Sequence, residues 1–93
     1  QILNAIIALG FYLIGFENVK IYPNPVHDIL YVTGTPLGTR IEIFNAVGQK
    51  VKSVYVSQNA EQISVASLPA GVYVLQLIHP HGQVGYQRVV REN

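Results

Sequence analysis

Short stretches of alternating apolar and polar residues, separated by turn-forming residues, fill the chain from Glu17 onward. Side chains along a strand point alternately to its two faces, so this alternation predicts strands with one face in a core and one in water. The stretches recur about every 8 to 12 residues without a long helical pattern, which is typical of an all-β sandwich. The predicted strands are residues 19–22, 29–33, 40–45, 51–56, 63–65, 72–78 and 84–91.

The most apolar of these stretches is predicted to be the central strand. A Pro69-Ala70-Gly71 break runs directly into residues 72–78, which are rich in β-branched and aromatic types. This is the pattern of a turn that leads into a strand buried on both faces. One face is expected to carry Tyr73, Leu75 and Leu77, and the other Val72, Val74 and Ile78.

Turns are predicted where glycine, proline and asparagine interrupt the strands. Pro23-Asn24-Pro25 stops the first strand, because proline cannot donate to a ladder and restricts the residue before it. Asp28 is expected to accept a backbone amide near that turn. Gly48 supplies the positive φ of a hairpin, and residues 79–83 have the composition of a second hairpin turn.

The last strand, residues 84–91, mixes valines with Gln87, Arg88 and Arg91 without strict alternation, as an edge strand tolerates. An edge presents unpaired amides and carbonyls, so another protein or a second copy of the chain can add a strand to it. The alternative is a charged edge that is protected from aggregation.

Residues 1–16 are apolar on every side, so their periodicity does not separate helix from strand. Charges appear at Glu17, which is therefore the predicted start of the folded domain, residues 17–93. The first sixteen residues are expected to be a piece of an upstream domain that packs against this one or against another copy of the chain, with helix slightly favoured over strand. A truncated membrane span or signal-peptide core and a fragment artefact are the alternatives. Because methionine is absent, the chain is expected to be part of a longer protein.

Composition narrows the function classes. The 93 residues are 49% hydrophobic and 12% charged, which indicates one small domain with a full core. A net charge of +1 is too small for strong electrostatic binding to nucleic acid or to an anionic membrane. The chain has no cysteine, which excludes disulfides, thiol nucleophiles and thiolate metal sites.

Candidate catalytic and metal-binding residues are few. His79 and His81, with His27, are the only candidate metal ligands, but a zinc site needs three or four ligands and no suitable carboxylate lies nearby. No nucleophile-elbow pattern accompanies the serines and Asp28, and the carboxylates fall on separate elements. The sequence therefore predicts a protein that is not an enzyme and has no cofactor. The tyrosines, which could form a sugar-stacking platform, are expected to pack on the sheets, because most lie in strands.

The segments Ile21-Tyr22-Pro23-Asn24-Pro25-Val26 with Asp28, Val47–Val51, Ile63–Val65 leading to Leu68–Tyr73, and Arg88–Arg91 occur in this order along the chain. Together they resemble the C-terminal sorting domains of cargo proteins of the type IX, or Por, secretion system of Bacteroidetes. The resemblance covers Glu17 to Glu92. Two features depart from the family pattern, namely the apolar residues before Glu17 and the Glu92-Asn93 terminus in place of basic residues.

The resemblance implies an immunoglobulin-like sandwich that serves as a sorting signal for secretion. It implies that the outer-membrane translocon and a shuttle protein read the domain in the periplasm. A sortase-like peptidase then removes the domain and attaches the cargo to the cell surface, or the cargo is released. The residues implied for translocon recognition are Arg88, Val89, Val90, Arg91 and Glu92. The implied framework residues are Pro23, Asn24, Pro25, Asp28, Gly48, Leu68, Pro69, Ala70, Gly71 and Tyr73.

Two other functions remain open at the level of sequence. The first is a non-catalytic binding module of an adhesin or a glycan-degrading enzyme, because many extracellular sandwiches bind sugars through surface tyrosines. The second is a self-assembly domain, which the apolar first sixteen residues and an open sheet edge would support.

Overall fold

A computed structural model describes residues 11–12 and 15–93, which form strands and turns without a helix among them. The predictions for residues 1–10 and 13–14 lie outside these described residues. The strands are β1 (Phe11–Tyr12), β2 (Lys20–Tyr22), β3 (Ile29–Thr33), β4 (Arg40–Asn45), β5 (Lys50–Tyr55), β6 (Ala60–Ser64), β7 (Gly71–Ile78) and β8 (Val84–Arg91).

The strands form two antiparallel sheets. One has the order β1-β8-β7-β4-β5 and the other the order β2-β3-β6. The seven strands from β2 to β8 confirm the predicted sandwich, and β1 is a two-residue addition that composition did not indicate. β7 lies between β4 and β8, as predicted for the central strand.

The core lies between the two sheets and is built from the apolar positions of the alternating stretches. Each sheet turns one side chain in two toward the other sheet, so the inward residues of both interdigitate. The three-stranded sheet contributes Leu30, Val32 and Ile63. The five-stranded sheet contributes Ile41, Ile43, Tyr73, Leu75, Leu77 and Val89.

The predicted faces of β4 and β7 are confirmed. Ile41 and Ile43 are buried in the core, while Arg40 and Glu42 lie on the outer face of the five-stranded sheet. Glu42 is nevertheless only 9% exposed there, and the Arg40 Nε and the Lys50 Nζ lie 3.4 and 3.2 Å from its Oε2. On β7 the outward Val74 is also buried, which accounts for the apolar composition of both faces of this strand.

The expectation that β8 is an edge strand is not met. β7 pairs with one side of β8, and β1 pairs with the other side at Tyr86 and Gln87. Among the described residues, the strands at the sheet edges are β1 and β5 in one sheet and β2 and β6 in the other. Self-association through an edge strand stays a prediction, and these strands are where it would occur.

The folded domain includes residues before the predicted start at Glu17. Phe16 is only 3% exposed and belongs to the core cluster, and its ring lies edge-on to His79 with centroids 6.2 Å apart. Composition marked Glu17 because charges begin there, but it could not show that the preceding phenylalanine fills the core. Within the described residues, no helix is long and apolar enough to cross a membrane.

Candidate functional site

The segments that carry the family resemblance lie at one end of the sandwich, which we call the Arg91 end. It is the end at which β7 begins and β8 finishes, because Gly71 pairs with Arg91. The opposite end, which we call the His79 end, carries the turn that joins β7 to β8. At a rise of about 3.4 Å per residue, the eight residues of β7 separate the two ends by about 24 Å.

Asn24 attaches the Pro23-Asn24-Pro25 turn to β8 through its side chain. Its Nδ2 donates to the Arg88 carbonyl at 3.0 Å, and its Oδ1 accepts from the Val90 amide at 2.9 Å. The carboxamide has one donor and one acceptor side, so it pairs with the strand as a peptide group would. Both proline peptide bonds of the turn, Tyr22-Pro23 and Asn24-Pro25, are cis.

Val26 continues this pairing with its backbone. The Val26 amide donates to the Val90 carbonyl at 2.8 Å, and the Glu92 amide donates to the Val26 carbonyl at 2.8 Å. The contact is a parallel bridge between Val26 and Arg91. Asn24 and Val26 therefore occupy the side of β8 that the sequence led us to expect open.

Arg91 fastens the end of the chain to the loop that follows β6. Only 7% of the Arg91 surface is exposed to solvent. The guanidinium donates from Nε to the Val65 carbonyl at 3.1 Å and from Nη2 to the Ala66 carbonyl at 3.0 Å. Its Nη1 donates to the Glu92 carbonyl at 2.9 Å and to the Asn93 Oδ1 at 2.7 Å. Four hydrogen bonds to oxygen dipoles offset part of the cost of burying this cation.

The five residues implied for recognition differ in exposure. Val89 is in the core, and Arg91 is held as described above. Arg88 and Val90 are half-buried on the outer face of the five-stranded sheet, and Glu92 is exposed beyond the strand. The side chains of Arg88, Val90 and Glu92 are therefore accessible, whereas those of Val89 and Arg91 are buried.

Two further framework segments shape the same end. The hydroxyl of Tyr73 donates to the Pro69 carbonyl at 2.5 Å, an arrangement that resembles the tyrosine corner of immunoglobulin-like sandwiches. In the β4–β5 turn, the Asn45 Oδ1 accepts from the amides of Val47 and Gln49 at 3.2 and 3.0 Å. Gly48 has a φ of 88° there, as the hairpin prediction required.

Asp28 also lies at the Arg91 end, but it contributes through its backbone. The Val65 amide donates to the Asp28 carbonyl at 2.8 Å, while the residue itself is exposed. The predicted hydrogen bond to the Asp28 carboxylate does not occur within the described residues. The framework role implied for Asp28 stays a prediction for its side chain.

The three histidines do not come together. His79 and His81 stack at the His79 end with centroids 5.1 Å apart, and the Nδ1 of His79 accepts the His81 amide at 2.9 Å. His27 follows Val26 at the other end of the sandwich. No group of three or more histidine, aspartate or glutamate side chains is placed to hold a metal among residues 11–12 and 15–93.

One carboxylate near the start of the described chain has a perturbed pKa. The Gly15 amide donates to the Oε2 of Glu17 at 2.8 Å, and this hydrogen bond lowers the pKa of Glu17 because it favours the charged form. Glu17 is fully exposed in a turn far from the Arg91 end, so the shift indicates a local contact.

Most tyrosines lie in strands, as predicted. Tyr22 and Tyr31 are cross-strand neighbours whose rings stack 5.5 Å apart at 20°. Tyr73 is in the core, and the Nε2 of Gln76 donates to the Tyr86 hydroxyl at 3.0 Å. Tyr22 is 47% exposed, so its ring is accessible at the outer face of the small sheet.

Sequence reasoning missed the contacts that build the Arg91 end. The sequence predicts a turn at Asn24, but nothing local signals its pairing with Arg88 and Val90, which lie 64 and 66 positions further along the chain. Arginine is rarely buried, so its type gave no reason to expect the position of Arg91. The one usable signal was the order of the motif segments, which are distant in sequence and adjacent in the structure.

The family model of the secretion system C-terminal sorting domain matches residues 20–91. A curated relative, beta-agarase A of Zobellia galactanivorans, is 36% identical over 59 residues, which are 61% of this chain and 11% of the agarase. A similar solved structure is that of PorZ, an essential bacterial surface component of the type IX secretion system of Porphyromonas gingivalis. It has a TM-score of 0.69 and 17% identity, and the match covers 83% of this chain and 12% of PorZ.

This chain therefore corresponds to a small part of either relative, and the likeness to PorZ concerns the fold. The family match spans β2 to β8 and includes every segment that meets at the Arg91 end. The chain belongs to the family of secretion system C-terminal sorting domains, which direct the proteins that carry them through the type IX secretion system to the cell surface or out of the cell.

Proposed function

We propose that the type IX translocon reads the Arg91 end of this domain as a folded surface. Arg88, Val90 and Glu92 make the contacts, and the domain does no chemistry of its own. Val89 and Arg91 position these residues from the core side. The domain thus labels a cargo for export without being an enzyme.

The observation that carries this proposal is the convergence of the motif segments at the Arg91 end. Asn24 and Val26 lie more than 60 positions before their partners, yet they make four hydrogen bonds of 2.8 to 3.0 Å with the backbone of β8 and of Glu92. Such contacts form only in the folded domain. A machine that serves many cargoes can then recognise a shared framework and a few exposed side chains.

The proposed route includes the partners implied by the family resemblance. The domain meets the translocon and a shuttle protein in the periplasm, after which a sortase-like peptidase removes it or the cargo is released. The cargo precedes the sorting domain, which we place at residues 17–93 with Phe16 as part of its core. β1 adds two residues to the five-stranded sheet, and the residues before β1 connect the domain to the cargo.

A charge-reversal experiment tests the recognition surface. The full chain is fused behind a reporter in a host with this secretion system, and reporter at the cell surface is measured. We expect Arg88→Glu and Glu92→Lys together to lower surface delivery about tenfold, the change that about 1.4 kcal/mol of lost binding produces. Lys20→Glu, an exposed charge reversal on β2, is the matched control and should deliver normally.

Equal delivery by the double variant and the wild type would contradict recognition at this surface. Retention of the wild-type fusion inside the cell would contradict the sorting function itself. Melting curves of the purified variants separate either result from misfolding.

A sugar-binding module is the second candidate function, and the accessible ring of Tyr22 stacked on Tyr31 favours it. Aromatic rings at protein surfaces provide apolar faces with a polar edge, which suits carbohydrate ligands. A glycan array tests this function. Binding that disappears in Tyr22→Ala would support it, and an array without binding would contradict it.

A further inference from the structure

The outer face of the five-stranded sheet is mostly apolar, although the solvent side of an antiparallel sheet is usually polar. The strand registers place every second side chain of β4, β7 and β8 on this face. Four of these side chains carry a charge or a carboxamide, namely Arg40, Glu42, Gln76 and Arg88. The other seven, which we call the outer apolar patch, are Phe44, Val72, Val74, Ile78, Val84, Tyr86 and Val90.

The middle of the patch is packed like part of a core. Val74 lies between its cross-strand partners Phe44 and Arg88. It is only 1% exposed, which is the burial of a core residue. A hollow of about 150 Å³ opens on the same face, with Phe44, Gln76 and Tyr86 in its walls. The face can therefore accept further apolar side chains.

The chain enters the five-stranded sheet beside this patch. β1 is antiparallel to β8, so the chain before Phe11 is directed toward the Arg91 end. It cannot continue the ladder on β8, because the Asn24 side chain bonds the Arg88 carbonyl and the Val90 amide. The space between the two sheets is filled by the core, so the outer face is the side of the sheet that remains.

We propose that residues 1–10, which precede β1, bind the outer apolar patch of their own chain. Contact with the patch removes apolar surface of both from water, which favours binding. None of these ten residues is charged, and seven are apolar, namely Ile2, Leu3, Ala5, Ile6, Ile7, Ala8 and Leu9. This inference concerns how the preceding chain is attached and does not rest on the sorting function.

The segment is long enough to cross the patch. Neighbouring strands lie about 4.8 Å apart, so β4 is about 14 Å from β1, three strand spacings away. Ten residues span about 15 Å as a helix and more when extended. Residues 1–10 therefore reach β4 in either conformation.

Tethering favours this occupant over a second copy of the chain or another protein. Phe11 is held beside β8, so the residues before it are present at the patch at an effective concentration that is about millimolar for short linkers. Charge also fits a neutral segment. Glu42 is the one carboxylate on the outward positions of β4, β7 and β8, and it is already paired with Arg40 and Lys50. The face thus has no free carboxylate at these positions to select a basic partner.

Paramagnetic broadening of amide signals tests the contact in the full ¹⁵N-labelled chain. The chain has no cysteine, so Asn4→Cys carries a single nitroxide label within the segment. We expect the amides of Phe44 and Val74 to lose most of their signal. Those of Tyr31 and Gln62 should keep theirs, because the other sheet lies about 10 Å further away and broadening falls steeply with distance.

A charged segment should not bind the patch. We expect Ile6→Asp with Ile7→Asp, in the labelled chain, to restore the signals of Phe44 and Val74, because a charge buried among apolar side chains has no partner. Gln58→Asp with Asn59→Asp is the matched control. It adds the same charge at exposed positions in the loop between β5 and β6, so the broadening should persist.

A second sample separates binding within one chain from binding between copies. The spin-labelled chain without ¹⁵N is mixed with the ¹⁵N-labelled wild type, and we expect no broadening. Loss of the Phe44 and Val74 signals in this mixture would assign the patch to a second copy and overturn the proposal. Intact signals in the singly labelled chain, or broadening that persists in Ile6→Asp with Ile7→Asp, would overturn it as well. None of these results affects the sorting function, which the reporter fusion tests separately.

Discussion

At the scale of single residues, Arg91 shows how a charged side chain becomes structural. Its guanidinium is planar and presents donors in fixed directions, so one side chain can bond carbonyls from two separate segments. It does so with Val65 and Ala66 on one side and Glu92 on the other. The terminal residues are thereby ordered next to β8.

We expect Arg91→Lys to lower the free energy of unfolding by about 1–3 kcal/mol, because an ammonium cannot reproduce the fork and buried carbonyls lose donors. Urea unfolding followed by circular dichroism measures the change. Arg88→Lys is the matched control, since that half-buried side chain makes no such set of contacts, and it should have little effect. Equal stability of the two variants would contradict the structural role of Arg91.

The hydroxyl of Tyr73 offers a test of the corner it forms with Pro69. Tyr73→Phe keeps the ring in the core and removes one hydrogen bond, so we expect a loss of about 0.5–1.5 kcal/mol in the free energy of unfolding. Tyr55→Phe, at an exposed tyrosine, should change stability by less than about 0.5 kcal/mol. A Tyr73→Phe variant as stable as the wild type would contradict a stabilising role for this hydrogen bond.

At the scale of elements, the sequence predicts the strands and their faces but not the segments that pair with β8. The alternation in β4 and β7 is local, because each side chain's face follows from its position in the strand. The pairing of β8 with β1, Asn24 and Val26 depends on which distant segments reach it after folding. The side of β8 that was expected to be open for partner binding is therefore partly occupied by segments of the same chain.

The attachment of the Pro23-Asn24-Pro25 turn to β8 is tested by Asn24→Asp. A carboxylate keeps the acceptor for the Val90 amide but places an oxygen against the Arg88 carbonyl where a donor was. We expect a loss of about 1–3 kcal/mol in the free energy of unfolding. Hydrogen exchange at the Val90 amide should also become faster.

The control for this variant is Asn59→Asp, in the exposed loop between β5 and β6. It makes the same chemical change without a hydrogen bond to β8, so exchange at Val90 should stay as in the wild type. Unchanged exchange in both variants would contradict the role of Asn24.

At the scale of the whole molecule, the sandwich has two ends with different tasks. The Arg91 end gathers the motif segments, whereas the His79 end holds the hairpin turn against Phe16. A small domain buries a limited fraction of its surface, so one aromatic side chain is a large part of its core. The start of the stable domain therefore depends on Phe16 more than on the change in composition at Glu17.

Replacing Phe16 tests this start. Phe16→Ala removes a nearly buried ring from the core, and such changes cost about 3–5 kcal/mol, a large share of the roughly 5–15 kcal/mol that stabilises a typical domain. Thermal and urea unfolding of the full chain measure the loss, with Leu37→Ala as an exposed control that should stay within about 0.5 kcal/mol of wild type. If Phe16→Ala unfolds like the control, the stable domain begins at Glu17 as composition predicted. If it is destabilised as expected, a cleavage that leaves the sorting domain folded must fall before Phe16.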